Sequence, residues 1–467
     1  RIIGAKGRVK HDMARPSGIE HSEAFTRAWT DLQSRAPENE IEPSLTRIAR
    51  LLELMGHPER AYRTLHIAGT NGKTSTARIA EALLIEAGLR TGRLTSPHMH
   101  TPTERIALDG QPISEEGFVQ AYEDVLPFAE VVDREFAETG VRISMFEFLT
   151  AMQFQAFASA PVDVAIVEVG LGGRWDATNV IDPDVTVITP IAFDHQDYLG
   201  ETIEEIAGEK AGILKEGALA VIAAQQFSGA LDVLKNRCAE LGVTAAIEGE
   251  QIGVLDRVPA VGGQMIAVQS IAARYEEVFV PLLGAHQAHN ALLAISAAEA
   301  LLTGGDAPLD GDLVRAGLER VTSPGRAEVV RQAPTILVDA AHNPAGAEVL
   351  VETVRESFRF TRTVGIVGIL KEKDASEILA TLEPLFDIVV ITESTSPRAI
   401  PTDLLAMEAR DIFGDEDRVI EQASLPDAIQ AAVDAAEQEG DDFAGIVATG
   451  SITLAAEVRQ LLGRVEQ

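Results

Sequence analysis

Short runs of Val, Ile, Leu and Ala alternate along the chain with helix-length amphipathic stretches, the pattern of parallel strands joined by crossover helices. Strands are expected at Arg63–Ala68, Val162–Val169, Val185–Ile191 and Leu219–Ala224 in the first half. The second half supplies Thr335–Ala340, Thr363–Ile369, Ile388–Thr392 and Gly445–Ala448. Their near-continuous apolar content predicts strands covered on both faces. Helical patterning is read over Ser22–Leu54, Ala77–Ala87 and Ala288–Leu302, and Tyr198–Lys215 reads as a loop and helix after a strand. Breaker clusters at Thr303–Pro308 and Thr322–Gly325 interrupt the pattern. The expectation is an α/β protein of two domains, residues 21–322 and a smaller 323–467, behind a tag or disordered terminus over 1–20.

Composition narrows what such a protein can do. Its 467 residues exceed what one core usually serves, and 46% hydrophobic residues exclude wholesale disorder. With 72 Asp+Glu against 39 Lys+Arg the formal net charge is −33, which argues against a nucleic-acid binder and against an anionic membrane surface. Cys238 is the single cysteine, so neither an intrachain disulfide nor a cysteine-rich metal site can form. No stretch reaches the roughly 18 apolar residues of a membrane helix, and the first 12 residues lack the apolar core of a secretory signal. The chain opens on Arg1, and Met13 is a candidate natural start. A cytoplasmic monomer with small-molecule partners is expected. If those molecules are anions, the site must supply its own positive charge.

A candidate for that charge lies early. Strand Arg63–Ala68 leads into Gly69-Thr70-Asn71-Gly72-Lys73-Thr74-Ser75 and then a helix. Gly69 and Gly72 let the backbone aim N–H groups at a phosphate, the helix N-terminus adds its dipole, and Lys73 places a point charge on phosphate oxygens. Thr74 stands where a metal-directed hydroxyl is expected. A generic Walker A loop has a glycine at the position that Ile67 fills here. The bland alternative is a glycine turn entering a helix with no ligand.

Glu168 closes the strand Val162–Val169, and the next strand runs into Phe193-Asp194-His195. A glutamate amid Val and Ile is costly to bury unpaired, and open α/β sheets bind ligands outside those strand ends. Two adjacent parallel strands would thus present Glu168 and His195 beside the glycine loop, a plausible Mg²⁺ site because Mg²⁺ takes few protein ligands plus phosphates and waters. Taken singly, His195 reads as a structural donor and Lys210 as a solvated helix residue.

Together with Glu168…Gly173-Arg174-Trp175-Asp176-Ala177-Thr178-Asn179, Asp194-His195…Tyr198-Leu199-Gly200, Glu209-Lys210-Ala211-Gly212, Thr95-Ser96-Pro97-His98, Pro324-Gly325-Arg326 and Asp339…His342-Asn343-Pro344, the loop resembles that of Mur-type ATP-dependent amide ligases. The likeness is strongest to folylpolyglutamate synthase/dihydrofolate synthase, and it runs from about residue 42 to 454. That resemblance implies a P-loop ATPase-like parallel-sheet domain followed by a Rossmann-like glutamate ligase domain. It implies that Lys73 and the loop hold ATP, that Ser96, Glu168 and His195 hold Mg²⁺, and that Asn290, Arg326 and Asp339 contact the nucleotide. Lys210 matches a lysine carbamylated in this family, supporting a second Mg²⁺. Ser144, Met145, Phe146 and Glu147, with Trp175, Asp176 and Ala177, match the region for the pterin-bearing substrate, and His342 matches a residue near the incoming glutamate. Each of these also has a bland reading: Phe146 and Trp175 as packed aromatics, Asp176 as a turn, His342-Asn343-Pro344 as a helix start.

The implied reaction activates a carboxylate through an acyl phosphate and joins it to L-glutamate, with dihydropteroate or reduced folates as acceptors and both activities in one enzyme. A cell-wall Mur ligase is the alternative within the class, disfavoured because only about 60 residues stand ahead of the loop. A P-loop switch or kinase is the alternative outside it. Residues Asp411–Asp442 carry eleven acids against Arg418 alone, a stretch placed on surface helices away from the motifs.

Overall fold

The computed structural model describes residues 21–37, 43–437 and 443–463. Eight strands form the first sheet: β1 (Arg63–Ala68), β2 (Thr91–Leu94), β3 (Ile106–Leu108), β4 (Gln111–Pro112), β5 (Val164–Glu168), β6 (Val185–Ile188), β7 (Leu219–Ile222) and β8 (Thr244–Ile247). Their order is β4-β3-β2-β5-β1-β6-β7-β8, parallel from β2 to β8 with β3 and β4 antiparallel at one edge. β1 therefore lies between β5 and β6, which corrects the expectation that the strands carrying Glu168 and His195 are neighbours. Chain order does not give sheet order in a doubly wound sheet. Successive crossovers leave β1 on opposite sides, and the crevice where they part is where such sheets bind ligands.

Helices cover both faces because both faces of these strands are apolar. Lys73–Glu86 packs with Ala285–Thr303 on one side through Leu83, Leu84, Leu292 and Ile295. Glu115–Glu135 and Met145–Ser159 meet on another through Phe118, Phe148 and Phe154. The helical stretch read over Ser22–Leu54 is two helices, Glu23–Gln33 and Thr46–Leu54, with Pro37 and Pro43 falling between them. The helix after the glycine loop begins at Lys73 rather than Ala77. Polar residues in its first turn hid it from an apolar pattern.

A three-stranded antiparallel sheet, β9 (Gly253–Ala260), β10 (Gly263–Gln269) and β11 (Arg274–Val280), was not legible, because β9 is largely exposed and carries no clear alternation. It is anchored by Glu299, fully buried on the helix Ala285–Thr303. Ser270 Oγ and the Tyr275 hydroxyl each donate to its carboxylate at 2.5 Å, and the Ala272 amide at 3.0 Å.

The second sheet has the order β12-β13-β17-β14-β15-β16, from β12 (Glu328–Gln332), β13 (Thr335–Val338), β14 (Thr363–Val367), β15 (Ile388–Ile391), β16 (Val419–Glu421) and β17 (Gly445–Thr449). All neighbours are parallel except β12 and β13. Pro344–Ser357, Ala375–Leu382 and Thr402–Phe413 cover one face and Leu425–Ala436 and Ile452–Leu461 the other. This is the smaller C-terminal α/β domain. No helix among the described residues is long and apolar enough to cross a membrane. Residues 1–20, and 438–442 of the acidic stretch, lie outside the described residues.

Replacing Glu299 by Leu leaves three donors without their acceptor, at about 1–3 kcal/mol for each group that water cannot reach. Urea unfolding of Glu299→Leu is expected to lose about 3 kcal/mol in the transition of the N-terminal domain and to leave that of the C-terminal domain in place. An unmoved midpoint would show that the small sheet is anchored elsewhere.

Candidate active site

The loop after β1 is laced to the segment after β6. The Thr70 amide donates to Pro190 O at 3.0 Å, Thr70 Oγ1 donates to Ala192 O at 3.1 Å, and the Ala192 amide returns a bond to Thr70 Oγ1 at 3.0 Å. Two positions admit only glycine. At Gly69, φ is +146° and a Cβ would stand 1.8 Å from Thr189 Oγ1. At Gly72, φ is +88° and a Cβ would stand 2.6 Å from Asn290 Oδ1. Gly72 is also the N-cap of Lys73–Glu86, so no cap side chain covers the first-turn amides.

Lys73 folds back over the loop, donating to Gly69 O and Thr70 O at 3.1 Å each. Lys210, at the end of the helix Ile203–Lys210, donates to the same Gly69 O at 3.0 Å. Lys210 is thus buried in the site, not solvated on its helix. Burial, with the Lys73 charge next to it, lowers its pKa to about 7. Burial also lowers that of Lys73, against the pull of Glu168 and Asp194.

Glu168 is buried at the end of β5 and accepts Thr74 Oγ1 at 2.8 Å. Burial pushes its pKa up, with Lys73 opposing. His195 has φ +53° and follows Asp194, whose carboxylate accepts the His195 amide at 2.9 Å. Burial lowers the His195 pKa to about 4, and Lys373, Lys73 and Lys210 add to that effect while Asp194 opposes it, so the imidazole is neutral at neutral pH.

The C-terminal domain completes the cleft. Lys373 Nζ donates to Asp194 Oδ1 at 2.6 Å and to His195 Nε2 at 3.3 Å. Burial works to raise the Asp194 pKa, yet Lys373, His195 and His342 hold it well below the carboxylate range. His342 Nε2 stands 3.6 Å from Asp194 Oδ2, and burial beside Lys373 lowers its pKa to about 3. Asp339 accepts the Ala327 and Ala341 amides at 2.7 and 2.8 Å, and its pKa is raised by burial against the Arg326 charge. Ser75 Oγ meets Ser323 Oγ at 3.0 Å, and Asn290 Nδ2 donates to Gln287 Oε1 at 3.0 Å.

One cleft of about 480 Å³ is lined by the loop Gly69–Ser75, Ser96, Glu168, His195, Lys210, Asn290, Arg326, Asp339 and His342. The structure thus gathers most of the residues named from sequence. It does not bring Ser144–Glu147 or Trp175–Ala177 to the lining. Ser144 and Glu147 form a capping box at the start of Met145–Ser159, and Glu147 pairs with buried Arg47 at 3.2 Å. A Cβ at Gly170, which lines the cleft, would stand 2.4 Å from Phe146 Cζ. Trp175 is 44% exposed. Asp176 is buried, taking Thr178 Oγ1 at 2.5 Å and the Leu171 amide at 2.9 Å, while His66 bonds Thr178 Oγ1 at 2.9 Å from beneath in β1. This chain holds the cleft-lining turn Gly170–Gly172 to the sheet.

The comparisons with known proteins agree with this geometry. Residues 138–298 match the Mur ligase middle domain, and residues 325–451 match the Mur ligase, glutamate ligase domain. The chain is 48% identical over 456 residues to the dihydrofolate synthase/folylpolyglutamate synthase of Mycobacterium tuberculosis, covering 93% of each. It is 37% identical to the protein of that name in Bacillus subtilis, covering 77% of this chain and 83% of that one. The chain belongs to the dihydrofolate synthase/folylpolyglutamate synthase family. Among solved structures it is similar to Mycobacterium tuberculosis folylpolyglutamate synthase complexed with ADP and AMPPCP, with a TM-score of 0.90, 47% identity, and 95% and 99% of the two chains covered.

Asp194, Lys373 and Asn343 were not picked out as site residues in the sequence. Lys373 sits in Lys371-Glu372-Lys373-Asp374, which reads as a solvated charge run, and no local signal marks it. Asp194 was visible only as the neighbour of His195, and Asn343 only as a helix start.

Gly72→Ala is expected to weaken AMPPCP binding by about tenfold, because the added Cβ would stand 2.6 Å from Asn290 Oδ1 and the loop would have to shift to admit it. Gly88→Ala is the control, with φ +86° but nothing within 4 Å of the added Cβ. Calorimetric titration of both variants checks it, and equal affinities would remove the role of the Asn290 contact.

Proposed function

We propose that this chain is a bifunctional ATP-dependent ligase that joins L-glutamate to dihydropteroate and to the γ-carboxylate of reduced folates. The observation that carries the reading is the convergence, in one cleft, of the loop with Lys73, the buried Glu168, and Arg326, Asp339 and His342 of the C-terminal domain. In this reading Lys73 and the first-turn amides of its helix hold the ATP phosphates, and Asn290, Arg326 and Asp339 contact the nucleotide. The pterin-bearing substrate approaches over Ser144–Glu147 and Trp175–Ala177, and His342 attends the incoming glutamate.

The donor chemistry suits Mg²⁺. Glu168 offers a buried carboxylate and Ser96 a hydroxyl, while His195 is neutral with its Nε2 lone pair facing a cation in Lys373. Mg²⁺ takes few protein ligands and retains waters and phosphate oxygens. Ser96, Glu168 and His195 would hold Mg²⁺, which when bound neutralises charge on the phosphate oxygens. A second ion would rest on carbamylated Lys210. Carbamylation needs a neutral amine, and Lys210 is half neutral near pH 7.

The substrate carboxylate attacks the γ-phosphorus in line, forming an acyl phosphate and releasing ADP. Both reactants are anions, so Lys73 must face charge that spreads over the phosphoryl oxygens. The glutamate amine then attacks the acyl carbon, and phosphate leaves. Closure of the two domains keeps water from the acyl phosphate and holds amine and acyl carbon together.

Product mass analysis with ATP and L-glutamate, offering dihydropteroate and tetrahydrofolate separately, is expected to show one added glutamyl residue on each. Phosphate release without glutamate or either acceptor would favour a nucleotide switch instead. Lys73→Ala should lower turnover by about 10²–10³-fold with unchanged circular dichroism. For Lys210, a carbamate signal in ¹³CO₂-equilibrated enzyme should grow as pH rises through about 7 and vanish in Lys210→Arg. A signal of equal strength at pH 5 would refute the carbamate.

A further inference from the structure

We propose that Asn343 is a positioning residue that couples the seating of the C-terminal domain to the geometry of the glycine loop. The proposal rests on the ligase reading only where turnover is measured.

Asn343 is 2% exposed and caps Pro344–Ser357, its Oδ1 accepting the Gly346 amide at 2.8 Å. A backbone N–H can only donate, so this bond fixes which way the carboxamide faces. The remaining positions all cross to the other domain. Oδ1 also accepts Asn71 Nδ2 at 3.3 Å, and Nδ2 donates to Asn71 Oδ1 at 3.1 Å and to Asp194 Oδ2 at 3.0 Å. Two lone pairs and two N–H groups are thus all used, and only one of the four bonds serves the cap.

Asn71 stands between Gly69 and Gly72, the two positions where the loop admits no side chain. Its paired amide bond is therefore a direct handle on the loop, taken by a residue 272 positions away. Asp194, the other target, also receives Lys373 of the same domain at 2.6 Å and precedes His195. Withdrawing the C-terminal domain would release the loop after β1 and the segment after β6 together. Aspartate would cap the helix equally well but would set a carboxylate against Asp194. Serine and threonine would keep the cap and fall short of Asn71.

The capping and coupling roles separate in a double-mutant cycle of Asn71→Ala and Asn343→Ser, with Asn343→Thr as a second capping variant should serine lower the melting temperature. Each single variant is expected to keep its melting temperature, to weaken AMPPCP binding and to lower kcat by about tenfold. The double variant is expected to lose no more than Asn343→Ser alone, because that substitution has already removed both bonds to Asn71. X-ray scattering with AMPPCP should show the single variants less compact than the parent. Wild-type affinity and compaction in Asn343→Ser, or losses that multiply to about a hundredfold in the double variant, would overturn the coupling. Binding and scattering read the outcome even if no glutamyl product forms, so a failure of the ligase reading is told apart from a failure of this one.

Discussion

Two lysine amines share one carbonyl oxygen: Lys210, which is buried, and Lys73, which is part-buried, both donate to Gly69 O. Like charges this close in a site shielded from water repel, and a single backbone dipole does not neutralise them. The arrangement is tolerable because burial and the Lys73 charge lower the proton affinity of Lys210, and because Glu168 and Asp194 draw on Lys73. It becomes favourable when a polyanion enters. A chain of net charge −33 has thus concentrated positive charge at one point, at the C-terminal ends of β5, β1 and β6.

The rest of the architecture serves that point. Backbone that only glycine permits brings Gly69 O under both lysines, and the lacing of Thr70 to Pro190 and Ala192 keeps it there. Glu168 and His195 flank the loop because β5 and β6 flank β1. The C-terminal domain adds cations and a seam. Asp194 gathers Lys373, Asn343 and the His195 amide, so one carboxylate joins the two domains beside His195.

Much of this was legible beforehand. The alternation of apolar runs gave the α/β class and eight of the strands, and the glycine spacing marked the loop whose backbone admits no side chain at Gly69 and Gly72. Glu168 stood out as a carboxylate in an apolar run. What was illegible has a common cause. Lys210 read as a surface residue because its partner, Gly69 O, is 141 residues away. Lys373 read as part of a charge run for the same reason, its partner Asp194 lying 179 residues back. The sheet β9–β11 was missed because its exposed edge leaves no period to detect.

On its own, then, the sequence determined the fold class, the loop conformation and the family, since these follow from local backbone freedom and motif order. Only the tertiary structure decided that β1 lies between β5 and β6, which lysines meet at one carbonyl, and which side chains close the seam. Those outcomes depend on strand order and on contacts across the whole chain, and a side chain's protonation and partners are set by what surrounds it in space.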